Sequence, residues 1–75
     1  MQKNKVITIT QIKDVYELVN KATAVDGDIV LQRGKYAVDG KSILGIFSLD
    51  LTQPINITYP EDAVDFEQYI SAFEV

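Results

Sequence analysis

The hydrophobic period changes abruptly near the start of this chain, and that change constrains the fold more than any other feature. Residues 5–10, Lys-Val-Ile-Thr-Ile-Thr, alternate Ile7 and Ile9 with Thr8 and Thr10, the two-residue repeat of a half-buried strand rich in β-branched side chains. From Ile12 the apolar positions become Ile12, Val15, Leu18, Val19 and Ala22, with Lys13, Asp14, Glu17 and Lys21 on the other side. That three-and-four spacing makes one apolar helical face. Thr10 is the expected N-cap, and Asp26-Gly27 supplies the turn that follows.

The rest of the chain repeats this mixture in shorter pieces. Residues 28–33 and 35–38 are β-rich runs meeting at Gly34, which reads as a hairpin closed by Asp39-Gly40. Ser42 caps a short helix over residues 43–49, and Pro54 opens a fourth strand in which Ile55, Ile57 and Tyr59 alternate with Asn56 and Thr58. Pro60-Glu61-Asp62 starts a last helix, whose buried face is expected to be Ala63, Phe66, Tyr69, Ile70 and Phe73. Acids in its first turn suit the positive end of the helix dipole. Four short strands cannot close a barrel. The expected architecture is therefore an α+β open-faced sandwich, a small antiparallel sheet with all three helices on one face.

A chain of 75 residues holds one core, so residues 1–75 are read as a single domain. With no cysteine and no histidine, neither a disulfide nor the usual structural zinc site braces it, and apolar packing must suffice. Absent histidine also removes the Ser-His and Cys-His nucleophiles and the imidazole proton shuttle. No phosphate-cradling or HExxH motif is present, since the glycines stand singly at 27, 34, 40 and 45. The expectation is a protein that is not an enzyme and needs no cofactor or metal. Net charge is −4, with six Lys or Arg against five acids in residues 1–40 and one Lys against six acids in residues 41–75. Nucleic acid is disfavoured as a partner, because phosphate contacts want a basic stripe. No run approaches a membrane span, and Met1 to Lys5 lead into alternating Ile and Thr instead of the apolar stretch of a signal peptide, so neither membrane association nor export is expected. Lack of cysteine accords with a reducing cytoplasm.

The most informative segment is residues 39–51, Asp-Gly-Lys-Ser-Ile-Leu-Gly-Ile-Phe-Ser-Leu-Asp-Leu. A short surface helix needs one apolar face, yet Ile43, Leu44, Ile46, Phe47 and Leu49 leave almost no polar side. With Ile46 and Leu49 in the core, Ile43, Leu44 and Phe47 are expected to point outward beside Lys41 as a patch that docks a protein partner. Glu61 and Asp65, four residues apart, read as a solvated helix face.

The run Lys-Ser-Ile-Leu-Gly-Ile-Phe-Ser-Leu between a hairpin and a fourth strand resembles the second-helix motif of the HPr family, the phosphocarriers of the bacterial sugar phosphotransferase system. Leu18-Val19-Asn20-Lys21-Ala22 is similar to the end of that family's first helix, and the order of elements agrees over nearly the whole chain. The resemblance implies a βαββαβα sandwich in a bacterial cytoplasm. In that family a histidine followed by Ala-Arg-Pro at the start of the first helix accepts phosphate from enzyme I and passes it to sugar permeases. Here the corresponding position is Gln11, followed by Ile12, Lys13 and Asp14. An amide offers no nucleophilic nitrogen, and Asp14 adds negative charge where a phosphoryl group would sit. Ser42 matches the family's regulatory serine, which implies a candidate phosphorylation site and a serine kinase as one partner. A glutamine in place of the histidine together with a retained serine also resembles the catabolite-repression branch, which acts through a transcription regulator. The implied role is a non-catalytic regulatory or interaction protein. The alternative is a phosphocarrier with an unconventional acceptor, Ser42 or Thr10.

Overall fold

The computed structural model describes residues 1–75, in the order β1 (Gln2–Ile7), α1 (Ile12–Thr23), β2 (Val30–Arg33), β3 (Tyr36–Asp39), α2 (Ile43–Phe47), β4 (Ile55–Pro60) and α3 (Val64–Ser71). The strands form one antiparallel sheet in the order β1-β4-β2-β3. This is the four-stranded α+β sandwich expected from the sequence, with its element boundaries adjusted. The first strand begins earlier and ends at Ile7, although Ile9 beyond it is buried as the alternation requires. The two hairpin strands start two and one residues later than expected, α2 stops at Phe47, and Pro60 closes β4. Local pattern locates an element better than its ends, where hydrogen bonding decides.

Register explains which face is buried. Ile7 pairs with Ile55, and Ile57 pairs with Leu31; all four side chains are fully buried, as is Tyr59. Strand alternation puts them on one face, where they join Val15, Leu18, Val19 and Ala22 of α1, Ile46 of α2, and Phe66 and Ile70 of α3 in a single cluster. The opposite face carries Asn4, Thr58, Val30 and Asp39 in one cross-strand row and Val6, Asn56, Gln32 and Ala37 in the next. It is solvated. Gly34 takes φ +60° at the first position of the two-residue hairpin turn between Arg33 and Tyr36, a conformation that costs glycine nothing.

Three details of the expected pattern differ. Ile12 is 65% exposed, because it lies at the edge of the apolar arc of α1 and faces past the sheet. Thr10 is not the cap; Gln11 is the N-cap residue, in extended conformation and without a side-chain cap bond. Glu61 precedes α3, so Glu61 and Asp65 do not share a helical face.

The edge strand β1 puts Lys3 and Lys5 on the helix-bearing face, opposite Tyr59 and Ile57. Inward-facing cations protect a sheet edge from further pairing, and here each meets an acid: Lys3 Nζ lies 3.3 Å from Glu67 Oε2, and Lys5 Nζ 3.2 Å from Glu74 Oε1. The Tyr59 hydroxyl also donates to Glu67 Oε2 at 2.6 Å. That bond, then the one from Lys3, holds the Glu67 carboxyl below its ordinary value of 4.5. Stability from this carboxylate is therefore present above pH 4.5 and lost as pH falls through the lower, folded-state value. Thermal melts from pH 7 downward are expected to show a falling Tm in acid, with a shallower fall in Glu67→Gln. An equally steep fall in the variant would remove Glu67 from the acid response.

Candidate functional site: the α1 and α2 surface

Each sequence-predicted site residue occupies the end or the outer side of one of two helices. Gln11 sits at φ −124°, ψ 140° just before α1, and its carbonyl accepts the Asp14 N–H at 3.1 Å. Its side chain makes no capping bond, so the first N–H groups of α1 have no side-chain partner from this position. Ser42 occupies the same place on α2, at φ −112°, ψ 113°. It does cap: Gly45 N–H donates to Ser42 Oγ at 3.0 Å.

The approach to α2 is held by its own hydrogen bonds. Lys41 N–H donates to Asp39 Oδ1 at 2.9 Å, and Ser42 N–H to the Asp39 carbonyl at 3.0 Å. The Lys41 ammonium does not stand free beside Ser42. It donates to the Val25 carbonyl at 2.9 Å, tying the start of α2 to the loop after α1. Gly40 permits this approach, because a Cβ there would lie 2.9 Å from Ile29 Cβ and 3.0 Å from Leu31 Cδ1.

Of the three outward apolar residues expected on α2, Leu44 is 83% exposed and Phe47 38%. Ile43 instead is half-buried against the core, which narrows the α2 contribution to Leu44 and Phe47. The surface gains two residues from α1 in exchange. Ile12 is exposed, and Tyr16, half exposed, meets Phe47 edge to face with ring centroids 6.1 Å apart. Sequence reasoning omitted Tyr16, although its i, i+4 relation to Ile12 was the available signal. A groove runs between the helices, lined by Thr10, Gln11 and Ile12 on one side and Phe47, Leu51 and Thr52 on the other. It brings Gln11 and Phe47 together, whereas Lys41, Ser42 and Leu44 lie outside it.

The loop after α2 carries a carboxylate next in sequence to the groove residue Leu51. Thr52 donates its hydroxyl and, at 3.1 Å, its N–H to Asp50 Oδ1. These bonds depress the Asp50 pKa, and the carboxylate lies with Arg33, Lys35 and Tyr36 outside the groove. Asp14 stands in the first turn of α1. A polyanionic phosphoryl group at Gln11 would meet that charge. A second groove, between the end of α1 and the start of α3, is lined by Lys21, Asp26, Asp62 and Asp65 among others. No three acidic side chains anywhere converge as metal ligands.

No protein-family model matches the sequence, and no curated protein matches it. Among solved structures, the phosphocarrier protein HPr from Bacillus anthracis str. Ames is similar, with a TM-score of 0.71 and 25% identity over 100% of this chain and 96% of that chain. The fold is HPr-like. The likeness covers the whole chain. No helix is long and apolar enough to cross a membrane.

Because Ser42 closes the first turn of a five-residue helix, its loss is felt locally. Ser42→Ala is expected to lower stability by about 0.5 to 2 kcal/mol, while Ser42→Asp, which can accept the same N–H, stays near wild type. Denaturant titration of the three proteins checks this. Equal losses in both variants would show that the Oγ bond to Gly45 is not what the serine contributes.

Proposed function

We propose that residues 1–75 form one HPr-like domain that works by binding, as a non-catalytic regulatory or interaction protein related to the bacterial sugar phosphotransferase system and acting in the cytoplasm. One observation carries this reading. The position that resembles the family's phosphoacceptor holds Gln11, and close to it lie the exposed apolar side chains Ile12, Tyr16 and Phe47. A phosphoryl-transfer site needs a nucleophile and stabilisation of a polyanion. Gln11 offers no nucleophilic nitrogen, and Asp14 in the first turn of α1 opposes a polyanion. Exposed aromatic and aliphatic side chains clustered across two helices are instead what a protein contact uses.

Ser42 is the regulatory element of this proposal, with a serine kinase acting on it and a transcription regulator as one class of target. A phosphate there would sit at the start of α2, one residue from Ile43 and two from Leu44, adding about −1.5 to −2 charges beside the apolar surface. Net charge of −4 and the carboxylate of Asp50 favour a partner that is basic around an apolar centre.

Incubation with enzyme I and labelled phosphoenolpyruvate is expected to leave the protein unlabelled. Affinity capture from the native cytoplasm is expected to recover a partner that Phe47→Asp no longer retains, and Ser42 phosphorylation should change its dissociation constant by about ten-fold or more. Labelling of wild type that disappears in Ser42→Ala or Thr10→Ala would replace this reading with a phosphocarrier using a hydroxyl acceptor. Identical recovery by wild type and Phe47→Asp would remove the α1 and α2 surface from the binding site.

A further inference from the structure

The two edges of the sheet are treated differently. At the end of β1 the chain's own last residues lie against the edge: Thr8 N–H donates to the Phe73 carbonyl at 2.9 Å, Val75 N–H donates to the Val6 carbonyl at 3.0 Å, and Ile7 bridges to Glu74. The other edge, β3, has no such cover. Its pairing with β2 also shows which of its main-chain groups are free. Gly40 N–H donates to the Ile29 carbonyl at 2.7 Å, and Val38 and Tyr36 lie opposite Leu31 and Arg33. In an antiparallel ladder, groups directed at the partner strand alternate with groups directed away from it. Tyr36, Val38 and Gly40 therefore bond inward to β2, and the N–H and C=O of Ala37, with the N–H of Asp39, face the open edge.

From this arrangement we infer that β3 pairs antiparallel with β3 of a second copy of the chain, joining two four-stranded sheets into one of eight. The self-complementary charge of the strand selects a second copy as occupant. Lys35 immediately precedes β3, and Asp39 ends it, so an antiparallel two-fold pairing brings the cationic end of each strand to the anionic end of its neighbour. Placing Ala37 opposite Ala37 of the second copy lets the two residues exchange both main-chain bonds. It also sets Lys35 opposite Asp39 of the second copy twice, and Tyr36 opposite Val38 twice. Aromatic with β-branched and opposite-charge pairs are favourable cross-strand neighbours. Tyr36, 74% exposed in the single chain, gains a partner. Shifting the register by one residue would set an outward-facing group against an inward-facing one, so the alternation excludes it. A four-residue edge gives few bonds, so the association is concentration-dependent rather than obligate. It uses none of Gln11, Ile12, Tyr16 or Phe47.

Sedimentation equilibrium of the intact protein tests this. The mass is expected to rise from 8.4 kDa toward twice that value as concentration approaches the millimolar range. Ala37→Pro removes an N–H that β2 does not use and is expected to leave a folded monomer at every concentration, with circular dichroism confirming the fold. Lys35→Glu sets like charges opposite Asp39 and should weaken association by about ten-fold or more, and adding Asp39→Lys in the same chain should restore it. Wild type that remains monomeric at millimolar concentration overturns the inference. So does a dimer that survives both Ala37→Pro and Lys35→Glu, or one abolished only by Phe47→Asp, since these place the contact elsewhere.

Discussion

The structure depends on a strand that comes late in the chain. β4 is flanked by β1 on one side and β2 on the other, and these two do not pair with each other. Ile55, Ile57 and Tyr59 of β4 are the middle of the buried sheet face, each at most 1% exposed. Until β4 is in place, β1 with α1 and the β2–β3 hairpin share no ladder, so long-range pairing must precede most of the core. Closing such loops costs entropy before contacts repay it. The apolar alternation of β4 is consequently the strongest in the sequence, with no cationic side chain on its inner face.

Much of this was legible because the two hydrophobic periods are cleanly separated. Ile7, Ile9 and the set Val15, Leu18, Val19 and Ala22 are buried as their spacing requires, and Ile46, Leu49, Phe66 and Ile70 behave likewise. What local pattern could not reveal was the contribution of neighbours. Lys3 and Lys5 look like surface charges in sequence, yet their register with Tyr59 and Ile57 turns them toward Glu67 of α3 and Glu74 beyond it. Ile12 fits the helical face by spacing and is nevertheless exposed, because no element covers the end of α1. Conversely, spacing within α2 alone turns Ile43 outward, whereas packing of the helix half-buries it against the core.

The candidate site was legible at its ends and obscure at its centre. Gln11 and Ser42 stand at the two helix starts that the resemblance assigns them. Their local chemistry separates them: one leaves its helix start uncapped, the other closes it with a hydroxyl. Between them the surface is made by side chains from both helices, and the Tyr16 to Phe47 contact spans 31 positions of sequence. Spacing within one helix could not have paired them. The same geometry gives the histidine-free surface its character, since aromatic edges and aliphatic carbons exclude water where a phosphoryl group would need polar stabilisation.

The five residues of α2 link the groove to the edge strand β3. A helix this short has no stability of its own, because nucleation costs more than one turn returns. It persists because Ser42 caps it, Ile46 anchors it in the core, and Gly45 lies so close to β3 that a Cβ there would be 3.2 Å from Val38 Cβ. Lys41, through the Val25 carbonyl, fixes its start to the end of α1. Phe47 at its other end forms one wall of the groove. A covalent change at Ser42 would therefore not act on an isolated loop. It would disturb the bond to Gly45 that sets the first turn, and through that turn the placement of Phe47 against Tyr16 on one side and of Val38 in β3 on the other.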